Sequence, residues 1–235
     1  MVKVGVTLPQ FRHEADTALA AARQAEELGL DGVFVFDHLW PMGSPDRPII
    51  SAAPVLGALA AATTSIAIGT LVMRIGLVPD ELLVDQLRSV ADICDGRLIA
   101  GLGTGDRLSA EENLAYGVPY PPADLRRQSL RDCAGRLCSD GIPVWIGAGA
   151  SVAPGTRAVA AEVGAAVNVW NTGVAAVEAE DELEVTWGGP LPGGPRAMAS
   201  RMGELAGAGA SWVVCAWPDS LDDVATAARS LPSGG

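Results

Sequence analysis

The sequence predicts a single (β/α)8 barrel of the TIM type spanning residues 1–235. Short apolar, β-branched strands alternate with helical stretches eight times, and 235 residues are enough for one such domain. An open doubly wound sheet, the competing architecture, would place a glycine-rich phosphate turn directly after its first strand. Here that strand runs into Leu8-Pro9-Gln10-Phe11, with no such turn.

Strand one is Val2–Leu8, and helix one covers Glu14 to Leu28 with Gly29 as its terminating residue. Strand two, Gly32–Phe36, is unbroken by polar residues, as a strand buried on both faces should be. Helix two spans Ala52–Thr63, with Pro54 in its first turn, and strand three spans Ile66–Val72. Helix three, Pro79–Ile93, carries Leu82, Leu83, Leu87, Val90 and Ile93 near helical period. Strand four is Leu98–Leu102, followed by helical stretches over Ala110–Tyr116 and Asp124–Leu137. Strand five (Val144–Ile146), a helix over Gly155–Val163 and strand six (Ala166–Trp170) come next. A short helix near Val174–Ala179 precedes strand seven, Leu183–Trp187, in the region where Gly and Pro crowd the pattern. Helix seven (Arg196–Ala206), strand eight (Ser211–Ala216) and helix eight (Leu221–Leu231) close the alternation.

Charge and composition exclude several classes of partner. Sixteen Lys and Arg against 28 Asp and Glu leave a net charge of −12, which opposes nucleic acid and anionic membrane. The most apolar run, Ala52–Ala62, is too short to span a bilayer. Met1-Val2-Lys3-Val4 leads straight into a strand rather than a secretory leader, and the four cysteines show no metal-ligand spacing. A reduced, cytoplasmic protein acting on a small molecule is expected.

In a barrel, residues just after each strand line one mouth. Strand two ends in Asp37 and His38, an acid beside one of only two histidines, followed by Trp40 and Met42 in an apolar loop. An acid and a base at a strand's carboxyl end read as a site, although a turn-capping Asp37 with a His38 bonded to a carbonyl is the plain alternative. His13 follows strand one, Arg74 follows strand three, and Trp170 and Trp217 follow strands six and eight. These six, His13, Trp40, Met42, Arg74, Trp170 and Trp217, make the expected substrate pocket, whose aromatic walls suit a partly apolar substrate.

Two glycine-rich loops, Gly101–Arg107 and Gly147–Ser151, follow the neighbouring strands four and five. Glycines let backbone N–H groups approach an anion, and a following helix start adds its dipole, so adjacent loops of this kind would cradle a phosphate. Plain βα turns would also use glycine.

Other chemistries fail on inventory. A Schiff-base aldolase needs a lysine at the mouth, and Lys3 is the only lysine. Two histidines are too few for a His-rich metallohydrolase, and radical chemistry lacks its cysteine triplet. No metal ligand set is expected. An organic cofactor that carries the hard chemistry remains.

At this point the chain resembles the bacterial-luciferase-like family of flavin and deazaflavin oxidoreductases. The segments that carry the resemblance are Leu28–Leu39, Ile68–Val72, Gln86–Asp92 leading to Gly96–Gly105, and Pro143–Gly149. It is strong over roughly the first 150 residues and weak beyond. Asp-His after strand two and Gly-Thr-Gly-acid after strand four look most like the branch that uses coenzyme F420, a deazaflavin.

The resemblance implies specific roles. His38 would face the cofactor ring as proton donor or charge stabiliser, and Asp106 would assist proton movement. Thr104, Gly105, Gly149 and Ala150 would hold the cofactor phosphate. Asp37, Thr70, Gly103 and Gly147 would complete the cofactor wall, with a non-prolyl cis peptide at Leu71–Val72 under the middle ring. A homodimer through helices two and three is implied as well, and those helices carry surplus small residues such as Ala58 and Ala61. Two departures stand out: the usual excursion before strand five is short here, and the usual double glycine after that strand reads Gly149-Ala150. An FMN-dependent monooxygenase and a non-catalytic flavin-binding protein share most of these motifs.

Overall fold

The computed structural model describes residues 1–11, 15–41, 44–47, 49–180 and 182–232, without the side chains of Ala15 and Arg107. Of the expected pocket residues, His13 and Met42 lie outside the described residues.

The strands are β1 (Lys3–Thr7), β2 (Gly32–Val35), β3 (Ala67–Thr70), β4 (Met73–Arg74), β5 (Leu98–Gly103), β6 (Val144–Gly149), β7 (Ala166–Trp170), β8 (Val185–Gly189) and β9 (Ala210–Cys215). All pair in parallel in the order β3-β2-β1-β9-β8-β7-β6-β5-β4, and β3 also pairs with β5, which closes the barrel. Strand three, expected as one segment, is interrupted by the cis Leu71–Val72 bond, so β3 and β4 are two halves of one stave and the barrel has eight.

The helices are α1 (Ala15–Glu27), α2 (Ala52–Ala62), α3 (Asp80–Ile93), α4 (Arg107–Ala115), α5 (Ala123–Ser139), α6 (Pro154–Val163), α7 (Ala175–Glu178), α8 (Pro195–Gly207) and α9 (Leu221–Arg229). The helix expected from Ala110 starts at Arg107 instead. Asp106 is its N-cap, accepting from the Ser109 backbone N–H, and the Ser109 hydroxyl oxygen accepts from the Asp106 N–H in return. Helix α5 reaches β6 through Asp140–Pro143 alone, the short connection the sequence predicts. At the opposite end from the mouth, Glu26 Oε1 accepts the N–H groups of Thr64, Ser65 and Ile66 and ties α1 to the approach of β3.

Most of the core lies between the strands and the helices. A second cluster fills the barrel axis: Phe34 stacks on Trp145 at 5.0 Å, and Trp145 meets Trp212 edge-on at 5.4 Å. Glycines make room for these rings, because a Cβ at Gly69 would come within 2.8 Å of Phe34 and one at Gly32 within 2.9 Å of Trp212. Beyond this aromatic plug, toward the carboxyl ends of the strands, the cavity-lining loops gather.

Candidate active site

A cavity of about 740 Å³ opens at that end. His38 enters it from the segment after β2. Its Nδ1 lies 2.9 Å from Glu112 Oε1 on α4, and the other carboxylate oxygen accepts from the Leu39 N–H and from Arg74 Nη2, each at 2.8 Å. Glu112 is 1 % exposed and Arg74 5 %. Arg74, at the end of β4, also donates from Nε to the Asp37 carbonyl and from Nη1 to the Ser109 carbonyl. Its own N–H goes to Asp37 Oδ2. The ends of β2 and β4 and the first turns of α4 are therefore held as one polar unit beneath the imidazole.

The carboxylates of this region differ sharply. Burial pushes the Asp37 carboxyl above its ordinary range, with the Arg74 N–H and guanidinium working the other way. Burial also opposes charge on Asp106, but hydrogen bonds from the Ser109 backbone and hydroxyl outweigh it and hold that carboxyl below its ordinary range. Asp106 is therefore a settled carboxylate at a helix start, on the wall of the same cavity as His38.

The floor and far wall come from the split stave and the two glycine loops. Val72 sits against β5 and β6 where side chains are missing: a Cβ on Gly103 would stand 2.5 Å from Val72 Cγ2, and one on Gly147 3.1 Å from Cγ1. Beyond them Gly105 (φ 71°) and Gly149 (φ 66°) adopt left-handed conformations that favour glycine. The N-cap of α6, Ala153, offers no side-chain bond to the first turn, and Thr156 of that turn faces the cavity. Pro154 carries no N–H and those of Thr156 and Arg157 go to the Ala153 carbonyl, so the Thr156 side chain on the cavity wall and the glycine loops are the groups here that fit a phosphate. From behind, Arg126 of α5 donates to the Thr104 carbonyl at 2.8 Å, and Tyr120 donates to the Asp106 carbonyl at 2.6 Å.

Most of the sequence-predicted site residues meet here. His38, Asp106, Leu71, Val72, Arg74, Gly103, Thr104, Gly105, Gly147, Gly149, Trp170 and Trp217 all line the cavity. Four do not. Thr70 is fully buried, its hydroxyl donating to the Gly101 carbonyl at 2.7 Å. Asp37 is turned to the Arg74 N–H, as opposite side-chain directions for neighbours at a strand end require. Ala150 is exposed past the end of β6, and Trp40 packs on Tyr116 at 5.9 Å instead. Arg74 lines the cavity, but its guanidinium is held by Glu112 and two carbonyls rather than offered to an anion.

Phe11, Phe36, Thr156 and Glu112 join the site without being among the residues the sequence predicts. Phe11 and Phe36 stack at 5.6 Å, and Trp170 meets Phe36 edge-on at 5.6 Å, so one side of the cavity is an aromatic box. The sequence signal for Glu112 is the Asp106–Ser109 cap, which sets the turn of α4 and puts Ser109, Glu112 and Asn113 on its buried face. Among the described residues no group of His, Cys, Asp and Glu is arranged to hold a metal ion.

Comparison with known proteins places this geometry. Residues 2–137 match the family described as luciferase-like monooxygenase. An F420-dependent glucose-6-phosphate dehydrogenase of Microbacterium testaceum (strain StLB037) is 34% identical over 109 residues, 46% of this chain and 32% of the relative. The chain thus matches about a third of the length of that curated relative. Among solved structures, an F420-dependent secondary alcohol dehydrogenase in complex with an F420-acetone adduct superposes with a TM-score of 0.80 at 12% identity, covering 98% of each chain. The oxygenating constituent of 3,6-diketocamphane monooxygenase from Pseudomonas putida, in complex with FMN, gives 0.76 at 11% identity over 100% of each chain. Both share the barrel.

Proposed function

Since this chain belongs to the luciferase-like monooxygenase family, we propose that it is an oxidoreductase that binds coenzyme F420 in the barrel mouth and transfers a hydride between this deazaflavin and a small, partly apolar organic substrate. The observation that carries the reading is the cavity that joins His38 to a glycine-walled phosphate cradle. The F420-dependent relatives support the choice of cofactor.

Thr104, Gly105, Gly149 and the Thr156 side chain would hold the phosphate, and Leu71, Val72, Gly103 and Gly147 would bear the ring. The bound deazaflavin supplies a hydride acceptor or donor. The chain's own residues do the rest. Phe11, Phe36, Trp170 and Trp217 exclude water from the apolar part of the substrate. His38 exchanges the proton that accompanies hydride transfer, and the Asp106 carboxylate lies on the same cavity wall. The FMN-bound neighbour supports FMN as the alternative cofactor.

The reading includes a homodimer packed through α2 and α3, where Leu82 is 46% exposed, and a cytoplasmic location, in keeping with four free cysteines. No described helix is long and apolar enough to cross a membrane.

The test is a fluorescence titration of the purified protein with F420 and with FMN, followed by His38→Ala. Saturable F420 binding, and a single-turnover rate reduced by about two orders of magnitude with little change in cofactor affinity, are expected. A permanently yellow protein that ignores F420 would reassign the cofactor to FMN. An unchanged single-turnover rate would remove His38 from the chemistry.

A further inference from the structure

The polar unit under the imidazole does more than anchor loops. Glu112 meets three donors with two oxygens, and they are not interchangeable. Oε2 receives the Leu39 backbone N–H and Arg74 Nη2, groups that can only donate. Oε1 is left for the His38 ring at Nδ1. A carboxylate accepts at both oxygens, so the ring nitrogen facing it must carry the hydrogen. Among the described residues no hydrogen-bond partner falls to Nε2, and His38 lines the cavity.

We propose that Glu112 is a positioning residue that holds neutral His38 in its Nδ1–H form, so that the Nε2 lone pair faces the cavity as the atom that takes up and returns the substrate's proton. This rests on the assignment of proton exchange to His38 given above. An unconstrained neutral imidazole favours the opposite form, with hydrogen on Nε2, so the device has something to overcome. The ring accepts a proton at Nε2 from a substrate hydroxyl, becoming imidazolium, and the Glu112 carboxylate compensates the new charge without itself being protonated. The same bond in reverse returns the proton. The substrate group recognised on this wall is thus one that exchanges an O–H proton, a hydroxyl or the carbonyl it becomes.

Among the described residues, the other charged groups on the imidazole side make no hydrogen bond to the ring. Asp37 is turned to the Arg74 N–H, Arg74 donates to Glu112, Asp37 and Ser109, and Asp106 accepts from Ser109. Among the described residues Glu112 alone is hydrogen-bonded to the ring.

Glu112→Gln separates orientation from folding. The two donors at Oε2 require the amide oxygen there, which retains the bonds to Leu39 and Arg74. The amide nitrogen must then face His38 Nδ1 and donate to it, which moves the ring hydrogen to Nε2. The experiment is long-range 1H–15N correlation of 15N-histidine-labelled protein, free of cofactor and substrate, above the ring's titration range. There are two histidines to assign, and a His38→Ala spectrum identifies the signal. In the unaltered protein Nδ1 should show the protonated-nitrogen shift and Nε2 the lone-pair shift. In Glu112→Gln the two should exchange, with the ratio of forms changing by at least about tenfold.

The same variant should lose about a hundredfold in single-turnover rate while F420 affinity stays within a few-fold. Glu111→Gln, on the exposed face of α4, should change neither. The unaltered protein decides the matter even if the variant does not fold: Nε2–H as its major form overturns the proposal. So does an unchanged spectrum in a folded Glu112→Gln. If the forms behave as stated but F420 neither binds nor turns over, the positioning role stands and the cofactor assignment fails.

Discussion

Gly101 faces the carbonyl oxygen of Thr70 so closely that a Cβ at this position would stand 1.9 Å from it. That oxygen belongs to the last residue of β3 before the cis bond, and Thr70 in turn donates its hydroxyl to the Gly101 carbonyl. Absence of a side chain in β5 is thus what lets the neighbouring stave fold inward and build the cavity floor.

Gly101→Ala should destabilise the protein by about 3 kcal/mol or more, because the obstacle is backbone that cannot rotate away. Gly57, in α2, is the contrast: a Cβ added there would meet nothing within 4 Å. Gly57→Ala should raise stability by about 0.5–1 kcal/mol. Urea denaturation of the two variants beside the parent checks both signs.

Acid should loosen the end of the barrel opposite the mouth first. Burial works against the Glu26 charge, but the N–H groups of Ser65, Ile66 and Thr64 hold its carboxyl down at about 2, from an ordinary 4.5. A depressed folded value means the stabilisation is present above the unfolded value and is lost as pH falls from about 4.5 toward about 2. Because Glu26 is partly exposed, the contribution is discounted to about 1–2 kcal/mol. Glu26→Gln should lower Tm at neutral pH and flatten its fall between these pH values; parallel melting curves with the parent showing the same slope would contradict this.

The proposed phosphate site can be located by charge. Thr156→Glu places a carboxylate at the cavity rim in the first turn of α6 and should weaken F420 binding by at least about a hundredfold. Ala150→Glu, exposed just past β6, should weaken it far less. Equal effects in fluorescence titration would move the phosphate toward Ala150.

Sedimentation at micromolar concentration should show a dimer. Leu82→Glu on α3 should convert it to monomer, since a charge at the centre of an apolar contact costs several kcal/mol. A parent protein that sediments as monomer refutes the arrangement.

The barrel is legible in the sequence because each strand is a short apolar run and each helix has a start or stop signal, such as the left-handed Gly29 (φ 78°) after α1. The mouth is legible because strand ends carry their residues with them: His38, Trp170, Gly103 and Gly147 arrive wherever their strands end. What depends on side-chain direction is harder. Asp37 and Thr70 sit at the right depth but face away from the cavity. Glu112 is hidden in Ala110-Glu111-Glu112, a stretch that looks like a solvated helix face until the cap at Asp106 fixes which glutamate turns inward. Tertiary contacts seventy-four residues apart, such as that of His38 and Glu112, leave no local pattern to read.

The rings of Phe34, Trp145 and Trp212 stopper the barrel below the cavity, and their effect reaches into kinetics. A vessel closed at its base admits and releases everything by one door. If one of two ligands in that mouth lies over the other, the deeper one enters first and departs last. On the proposed reading, with cofactor beneath substrate, steady-state turnover should follow a compulsory order, set by three aromatic residues that do not line the cavity.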